Sequence, residues 1–563
     1  MGCSVKNHQT ADYVFHNANV ITVTGPDQEA VAVLENKIIF VGSDNEVKQH
    51  IGNQTEVINC QRQTVLPGII DTHNHLWEAG VLLKGIITFG IEDFETLRSK
   101  IKEKVQSKKS GEWLHGGSWI ETQFRENRFP TRFDIDDVSP DNPVVLERIF
   151  GASLVNSCAL RLAGITENTP DPEGGKIERD QMTGQPTGLL HGKAVLLIRE
   201  AMDGLFGSDV FGGNKGTSSI TDYEEAIRYG MPFYLKHGIT SIVEPGVSSE
   251  VCRAYQNLYM NSKLNIRVNL MPNWIGFTLN QDVNKMESWI RETGVYTGFG
   301  DEWVRFGGLK MAIDGGLTSK TAWMSEPYLN ETEPPDVKLR LDVGQLKKWI
   351  KEAHDLGWSI GIHVMGDKAI EAAVDAIDEA WKQNPQKRYH HLIHAYYPSE
   401  KSLNQMAHSN IMVSIQPSFV YGEADGYDQL LSKEMQSTFT PAKTYMTKGI
   451  NTTIGTDMPC AHVNPFWGLY SLVTRKGLQG YQLGADECVC LRDAIQMMTY
   501  NGAKLTGEEN IKGSIEEGKL ADLIVLDRNI NHTDTEDLKS IKVALTMVGG
   551  KVVYQHQGSA SID

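Results

Sequence analysis

Residues 65–80 read VLPGIIDTHNHLWEAG and place two histidines directly after a short apolar run. His73 and His75 are one residue apart, so on an extended strand their side chains point to the same side. Two neutral imidazoles held in this way bind one Zn²⁺-like ion. A histidine pair of this spacing also occurs at surfaces and in turns. The pair alone therefore does not distinguish a metal site from histidines that bind no metal.

Three more residues of metal-binding type close short apolar runs further along the chain. His363 closes WSIGIHV, His394 closes YHHLIH, and Asp457 closes INTTIGTD. Each also has an ordinary interpretation, as a hydrogen-bonded core histidine or as an N-cap or turn aspartate. Five such residues at the same ends of successive predicted strands form a ligand set suited to a borderline divalent metal.

The middle of the chain has the pattern of a barrel, because short apolar runs alternate with amphipathic stretches such as QLKKWIKEAHDLG. The predicted buried strands are LPGIIDTH, GITSIVEPG, IRVNLMP, VRFGGLKMAIDGG, WSIGIHV, YHHLIHAY, IMVSIQPS and INTTIGTD. Eight parallel strands closed into a (β/α)₈ barrel would bring the polar strand ends together in one mouth, where such barrels have their active sites. A doubly wound open sheet is the alternative.

Other segments differ in character from this alternating region, which we assign to residues 67–506. Residues 1–66 and 507–563 read as short strands with tight turns, and we expect the two ends to pair into one β domain. Residues 95–215 are rich in Pro, Gly and Asp and are too long for an ordinary βα loop. They predict a subdomain inserted into the barrel that caps its mouth.

Composition limits the partners. The formal net charge of the 563 residues is -17, with no block of basic residues that could follow a phosphate backbone, so we expect no nucleic acid partner. No apolar stretch approaches the roughly 20 residues of a membrane span, so no membrane partner is expected. The seven cysteines form no CxxC pair, and with no visible export signal they favour a reducing, cytoplasmic location.

The segments PGIIDTHNH, GTDMP and KGSIEEGKLADLIVLD, together with the two strand-end histidines His363 and His394, resemble the amidohydrolase superfamily. KMAIDGGLTSKTAWMSEPY, IHVMGDKAI, VSIQPSF and PTRFDIDDVSPDNPVVL resemble its YtcJ-like branch, which includes the N-substituted formamide deformylases. The resemblance covers nearly the whole chain. It implies a distorted (β/α)₈ TIM barrel, a β-sandwich built from both termini, and one or two divalent metals, usually Zn²⁺. A homodimer is common for such barrels, which is an analogy only.

The resemblance also assigns the metal ligands residue by residue. His73, His75 and Asp457 would bind the first metal. His363 and His394 would serve a second metal or, in a mononuclear site, the first metal and the substrate.

Four further positions are candidates for the site, and the resemblance supports two of them, Lys310 and Asp314. Lys310 stands where many members carry a lysine carboxylated by CO₂, which bridges two metals. An unmodified Lys310 that pairs with Asp314 or holds a substrate oxygen is the alternative. Asp314 is in a loop at the pocket wall, and Gln416 and Trp119 are candidates to line the pocket, although core or capping residues would look the same in sequence.

The leading functional hypothesis is hydrolysis of an amide or N-formyl C–N bond in a small organic substrate. A metal lowers the pKa of a bound water from 15.7 to about 7, Asp457 accepts the proton and passes it to the leaving nitrogen, and the metal or a histidine such as His394 polarises the carbonyl. Hydrolysis of a cyclic amide or deamination is the alternative within the superfamily. A non-catalytic regulatory or binding protein is the alternative of another class, because some relatives are labelled as regulators.

The chain departs from the branch pattern at three positions. Relatives of this branch commonly have a histidine where this chain has Ala152 and an Asp where it has Glu244. They often have a Glu before the histidine of the sixth strand, where this chain has Ile393 before His394. None of the three is a proposed metal ligand, but they lie where the pocket is shaped, so a relative's substrate does not transfer.

Overall fold

The structure is a computed structural model that describes residues 9–148, 152–202, 219–275, 283–337, 339 and 342–556. Its strands, numbered in chain order, are β1 (Tyr13–His16), β2 (Asn19–Val20), β3 (Ala30–Leu34), β4 (Lys37–Gly42), β5 (Glu56–Asn59), β6 (Thr64–Pro67), β7 (Ile69–Asp71), β8 (Ile86–Ile87), β9 (Leu114–Trp119), β10 (Val144–Arg148), β11 (Ala152–Val155), β12 (Gly175–Arg179), β13 (Pro186–Gly192), β14 (Ile239–Val247), β15 (Arg267–Ile275), β16 (Val304–Phe306), β17 (Leu309–Ala312), β18 (Ile360–Val364), β19 (His391–His394), β20 (Met412–Ile415), β21 (Thr452–Ile454), β22 (Leu523–Leu526), β23 (Val543–Val548) and β24 (Lys551–Gln555). The α-helices are α1 (Leu76–Leu83), α2 (Phe94–Gln106), α3 (Ser157–Leu162), α4 (Val195–Arg199), α5 (Ile220–Lys236), α6 (Ser249–Met260), α7 (Val283–Glu292), α8 (Val343–Asp355), α9 (Asp367–Gln383), α10 (Glu400–His408), α11 (Pro417–Tyr427), α12 (Lys433–Ser437), α13 (Ala442–Thr447), α14 (Pro465–Thr474), α15 (Leu491–Met497) and α16 (Tyr500–Thr506).

The central sheet is a barrel of parallel strands in the order β7-β14-β15-β17-β18-β19-β20-β21, with β16 added beside β15. Past the last strand pair, the two ends of the sheet meet through backbone hydrogen bonds. Thr72 N–H donates to Ile454 O at 3.2 Å, and Asp457 N–H donates to His73 O at 2.7 Å. The predicted (β/α)₈ barrel is thereby confirmed, and the open-sheet alternative is wrong.

Gly455 allows the two backbones to approach each other closely where the barrel closes. A Cβ added to Gly455 would lie 2.6 Å from both Cβ and N of His73, which is far inside van der Waals contact. The backbone that carries the first histidine therefore packs directly on the backbone that leads to Asp457.

The unit β18–α9 shows how the sequence produces the barrel. All five residues of β18 are buried, as expected for a strand covered on both faces. In α9 the buried residues Ile370, Ala373, Val374 and Ile377 recur at intervals of three and four, so one stripe of the helix packs on the barrel.

The two chain ends form the predicted β-sandwich. One sheet has the order β4-β3-β1-β5, and the other, β2-β6-β22-β23-β24, combines strands from both ends of the chain. Phe15, Val33, Val65, Leu523 and Met547 are among the buried residues of one core between these sheets. Because β6 and β7 are separated only by Gly68, the sandwich leads directly into the barrel.

A third sheet, β12-β13-β11-β10-β9-β8, lies in the chain between α1 and α5, where the insertion is predicted. Its first strand, β8, precedes the predicted start of the insertion at residue 95. Its strand β9 reaches the barrel mouth, where Ser118 Oγ donates to Pro459 O at 2.7 Å. Ile120, just after β9, packs with Phe419 and Ala461. The residue limits given above for the domains remain predictions, and the predicted end of the insertion at residue 215 lies outside the described residues.

In the described part of the chain, no helix has both the length and the apolar composition needed to cross a bilayer.

Buried charges join the C-terminal segment to the barrel strands. Glu508, 2 % exposed, lies 3.0 Å from Lys512 Nζ and 3.4 Å from Arg305, and it accepts from Asn269 Nδ2 at 2.9 Å. Burial alone would raise the pKa of Glu508, but the two cations outweigh it and lower the pKa to about 2. Nearby, Arg267 at the start of β15 forms a buried ion pair with Asp522, at 2.7 Å.

We expect Glu508→Gln to destabilise the protein by about 3 to 5 kcal/mol at pH 7, because two buried cations lose their counter-charge. Since the folded pKa of Glu508 is depressed from 4.5 to about 2, its contribution is present above about pH 4.5 and is lost as the pH falls through 2. The variant should therefore show a flatter pH dependence of the urea midpoint in this window. Glu517→Gln, at an exposed position, is the matched control. Equal acid profiles for Glu508→Gln and wild type would contradict this role.

Candidate metal centre

The structure brings the predicted ligands together at the carboxyl ends of the barrel strands. His73 and His75 follow β7, His363 lies in β18, His394 ends β19 and Asp457 follows β21. All except His75 are at least 96 % buried. The mouth of a (β/α)₈ barrel is where its strand ends and loops converge, so the fold places these side chains in a shared position.

His73, His75 and Asp457 form the tightest group. Nε2 of each histidine lies 3.4 Å from Asp457 Oδ1, and the three ligand atoms all lie within 4.8 Å of one another. A tetrahedral metal with ligands at about 2.1 Å separates its ligand atoms by about 3.4 Å. The three side chains therefore fit a divalent metal without rearrangement of the backbone.

His394 lies nearest the other oxygen of this carboxylate, and His363 lies beside His394. His394 Nε2 is 3.9 Å from Asp457 Oδ2, and the His363 and His394 rings are 4.6 Å apart between centroids. His363 Nε2 also lies 3.1 Å from Gly315 O. Asp457 thus directs one oxygen to the pair after β7 and the other to His394.

The protonation states suit metal binding. Burial, reinforced by the charge of Lys310 and by neighbouring histidines, lowers the pKa of His73 and of His394 well below the ordinary value. Both imidazoles are therefore neutral, which is the form that binds metals. Burial also lowers the pKa of His75, but the carboxylates of Glu78 and Asp457 outweigh it and raise the pKa to about 9. A metal would replace a proton on this ring.

Lys310 projects from β17 and is 4 % exposed. Burial lowers its pKa to about 7, although the Asp457 carboxylate opposes the shift. Lys310 is thus an amine that is easily deprotonated and lies close enough to His73 and His394 to affect their pKa values.

Asp71 holds the two ligand-bearing segments together. It accepts from the backbone N–H of Thr456 at 2.9 Å, from the Thr456 hydroxyl at 2.5 Å and from the backbone N–H of His73 at 3.2 Å. Burial raises the pKa of Asp71 to about 7 against these hydrogen bonds. Its place beside DTHNH is visible in the sequence, but its partner across the barrel is not.

Asp314 plays a corresponding role after β17. Its side chain is fully buried and accepts from the backbone N–H groups of Trp323, Met365 and Gly366, at 2.9, 3.0 and 2.9 Å. Its Oδ1 lies 4.0 Å from His363 Nε2. In this structure Asp314 orders the segment that follows His363, and contact with substrate remains a prediction.

Glu244, the residue that departs from the branch pattern, supports the start of α1. It accepts from the Leu76 N–H and from the Tyr255 hydroxyl, both at 2.9 Å, directly after His75. Sequence reasoning identified Glu244 only as a departure, because neither partner is close to it in sequence.

The two remaining pocket candidates have structural contacts. Trp119 is fully buried in the inserted sheet, and its indole N–H donates to Leu146 O at 2.9 Å. Its neighbours Ser118 and Ile120, rather than Trp119, contact the barrel mouth. Gln416 Nε2 donates to Ser414 O at 2.9 Å, and the Gln416 side chain lies close enough to His394 to oppose the lowering of its pKa. A substrate role for either residue stays a prediction.

The backbone at two ligands is in a conformation that is uncommon for side-chain-bearing residues. His394 has φ 72° and Asp457 has φ 57°, both in the left-handed region. Such residues cost of order 1–3 kcal/mol each and persist where the surrounding structure imposes them. The left-handed turns direct both side chains back over the barrel.

Two relatives match the chain along almost its whole length. YtcJ of Bacillus subtilis (strain 168) is 30% identical over 96% of this chain and 99% of its own length. The N-substituted formamide deformylase of Arthrobacter pascens is 28% identical over 98% of this chain and 100% of its own length. These matches confirm the resemblance to the YtcJ-like branch.

The fold also matches a solved structure. A metal-dependent hydrolase from Pyrococcus horikoshii OT3 superimposes with a TM-score of 0.69 at 22% identity, covering 93% of this chain and 99% of that one. The model of the amidohydrolase family matches residues 56–554. This match covers most of the chain, and with the full-length match to YtcJ it shows that the chain belongs to the amidohydrolase family.

Proposed function

We propose that the protein is a metal-dependent hydrolase that cleaves an amide or N-formyl carbon–nitrogen bond of a small organic substrate. The observation that carries this proposal is the placement of two histidine nitrogens 3.4 Å from one aspartate oxygen at a barrel mouth. The full-length match to a deformylase supports the bond type. The proposed cofactor is Zn²⁺, one or two ions per chain. The proposed setting is the cytoplasm, the proposed assembly is a homodimer, and the proposed partner is a small-molecule substrate.

A divalent metal bound at this centre supplies an acidified water and a Lewis acid for the carbonyl oxygen. Asp457 would accept the proton released during attack on the carbonyl carbon and pass it to the leaving nitrogen. Its Oδ2 faces His394 across 3.9 Å, a gap longer than a hydrogen bond, so both groups are available to the reacting group. The neutral His394 would donate a hydrogen bond to the carbonyl oxygen and stabilise its developing charge.

Lys310 is the proposed site of carboxylation. A neutral lysine amine attacks CO₂, a C–N bond forms, and loss of one proton leaves a carbamate. The buried amine with a pKa of about 7 supports this modification, because a large fraction is deprotonated at neutral pH. The negative carbamate would supply the oxygen ligands that a second metal beside His363 and His394 requires.

Two alternatives remain. The same centre would also serve hydrolysis of a cyclic amide or deamination, which differ from the leading proposal only in the substrate. A non-catalytic regulatory protein would have no use for the full set of buried ligands, and the cost of burying them argues against that role. Metal-dependent turnover of any C–N substrate separates the enzyme proposals from the regulatory one.

Replacing His73 by Ala should remove metal and activity together, because the ligand set loses one of its three closest atoms. Elemental analysis of protein purified without chelator measures the metal per chain. His532→Ala, at an exposed histidine, is the matched control and should retain metal. Full retention of metal by His73→Ala would show that the ligand set is wrong.

Asp457→Asn should lower kcat on an N-formyl or N-acyl amine by the order of 10² or more, the contribution of an acid–base group. The folded structure should persist, as measured by circular dichroism. Asp486→Asn, at an exposed position, is the control. Near-normal turnover in metal-loaded Asp457→Asn would remove Asp457 from the proton transfer.

Incubation with ¹³C-bicarbonate should give a ¹³C resonance of a protein-bound carbamate in the wild type. Lys310→Met should lack this resonance and hold fewer metal ions per chain. An identical spectrum for the variant and the wild type would contradict carboxylation at Lys310.

A further inference from the structure

The helix α11, which follows barrel strand β20, carries a buried carboxylate outside the metal centre. Glu423 is 4 % exposed, and its Oε2 accepts from the Tyr427 hydroxyl at 2.6 Å. Its Oε1 is buried without a hydrogen-bond partner. Leaving a buried carboxylate oxygen unsatisfied costs more than the typical gain from one hydrogen bond. Among the residues that the structure describes, none supplies a hydrogen bond to this oxygen.

The position of α11 links Glu423 to the metal centre. Phe419 is four residues before Glu423, so the two side chains share one face of the helix. The Phe419 ring lies 6.0 Å from the His394 ring between centroids. Glu423 is therefore one helical turn beyond a residue that borders the catalytic histidine.

The inserted sheet covers the same region. Ile120 packs with Phe419 and Ala461, and Phe89 packs against this group, so the side chains at this part of the junction are apolar. Arg148 is a nearby cation whose charge acts on Glu423. Its guanidinium, however, donates to both oxygens of Glu121, at 2.8 and 2.9 Å. The carboxylate of Glu423 is thus left with one free oxygen at the junction of insertion and barrel.

We propose that Glu423 binds an N–H donor of the substrate, an ammonium or an amide, at the end remote from the bond that is cleaved. The proposal rests on the proposed function and narrows its substrate class. The substrate would place its C–N bond at the metal centre, an apolar middle against Phe419 and Ile120, and a nitrogen at Glu423.

The electrostatics agree with a cationic donor. Burial raises the pKa of Glu423 to about 7, with Tyr427 and Arg148 opposing the shift and Glu121 and Asp457 adding to it. An ammonium group held at Oε1 would add positive charge to that of Arg148 and favour the ionised carboxylate.

Two probes of matched shape test the proposal on the full-length, metal-loaded protein. N-(4-aminomethylbenzyl)formamide carries an ammonium, and N-(4-ethylbenzyl)formamide carries a methyl group at the same position. Binding is measured by isothermal titration and turnover by release of formate. Wild type should bind the ammonium probe at least about tenfold more tightly, as expected for a hydrogen bond to a charged group.

The variant Glu423→Gln should reduce this preference to less than about threefold, with unchanged metal content. Glu434→Gln, an exposed glutamate in α12, should keep the full preference. If Glu423→Gln fails to fold, Glu423→Asp, which keeps the charge but withdraws it, should still lower the preference at least about threefold. A preference that survives in the folded variant, or a wild type that shows none or binds neither probe, would overturn the proposal.

The readouts separate this proposal from the proposed function. If both probes release formate and bind with equal affinity, the role of Glu423 is contradicted and the hydrolase proposal stands. A binding preference that Glu423→Gln removes, without formate from either probe, would contradict the N-formyl reaction and leave recognition by Glu423 standing.

Discussion

Keeping several imidazoles, carboxylates and a lysine buried at one end of a barrel is the constraint on which the rest of this structure depends. Removing such groups from water costs several kcal/mol each unless they find partners. The chain offsets the cost with backbone amides. Asp71, Glu244 and Asp314 each accept hydrogen bonds from the backbone of a segment that follows a ligand-bearing strand.

This arrangement makes the metal centre and the closure of the barrel inseparable. Asp71 bonds to both Thr456 and His73, across the seam where the first and last strands meet. Gly455 allows the two backbones to touch, and Asp457 enters the site from a left-handed turn two residues later. A distortion of the seam would move His73 and Asp457, two of the three closest candidate ligands, relative to each other, so the closure of the barrel and the geometry of the candidate site depend on the same contacts.

The parts of the site that were readable in the sequence are those whose signal is local. His73 and His75 are recognisable from their spacing, and the lone His363, His394 and Asp457 become informative because each closes an apolar run. Glu423 and Glu244 gave no such signal, because their roles depend on Tyr427, Tyr255 and the inserted sheet rather than on their neighbours in sequence. For Trp119 the sequence suggested a role but could not assign it, because an aromatic residue next to a site looks the same whether it faces the pocket or the core. The barrel and the sandwich were predictable because strand and helix periods repeat over many residues.

The continuity of β6 and β7 through Gly68 bears on how the protein is made. The strand β6, which precedes the first two histidines, pairs with β22, and β22 is synthesised only after the whole barrel. During synthesis β6 therefore leaves the ribosome long before its partner β22 exists. Pairing across so large a sequence separation is slow to form. Until β22 is synthesised, the edge of β6 stays unpaired and is exposed to incorrect strand pairing.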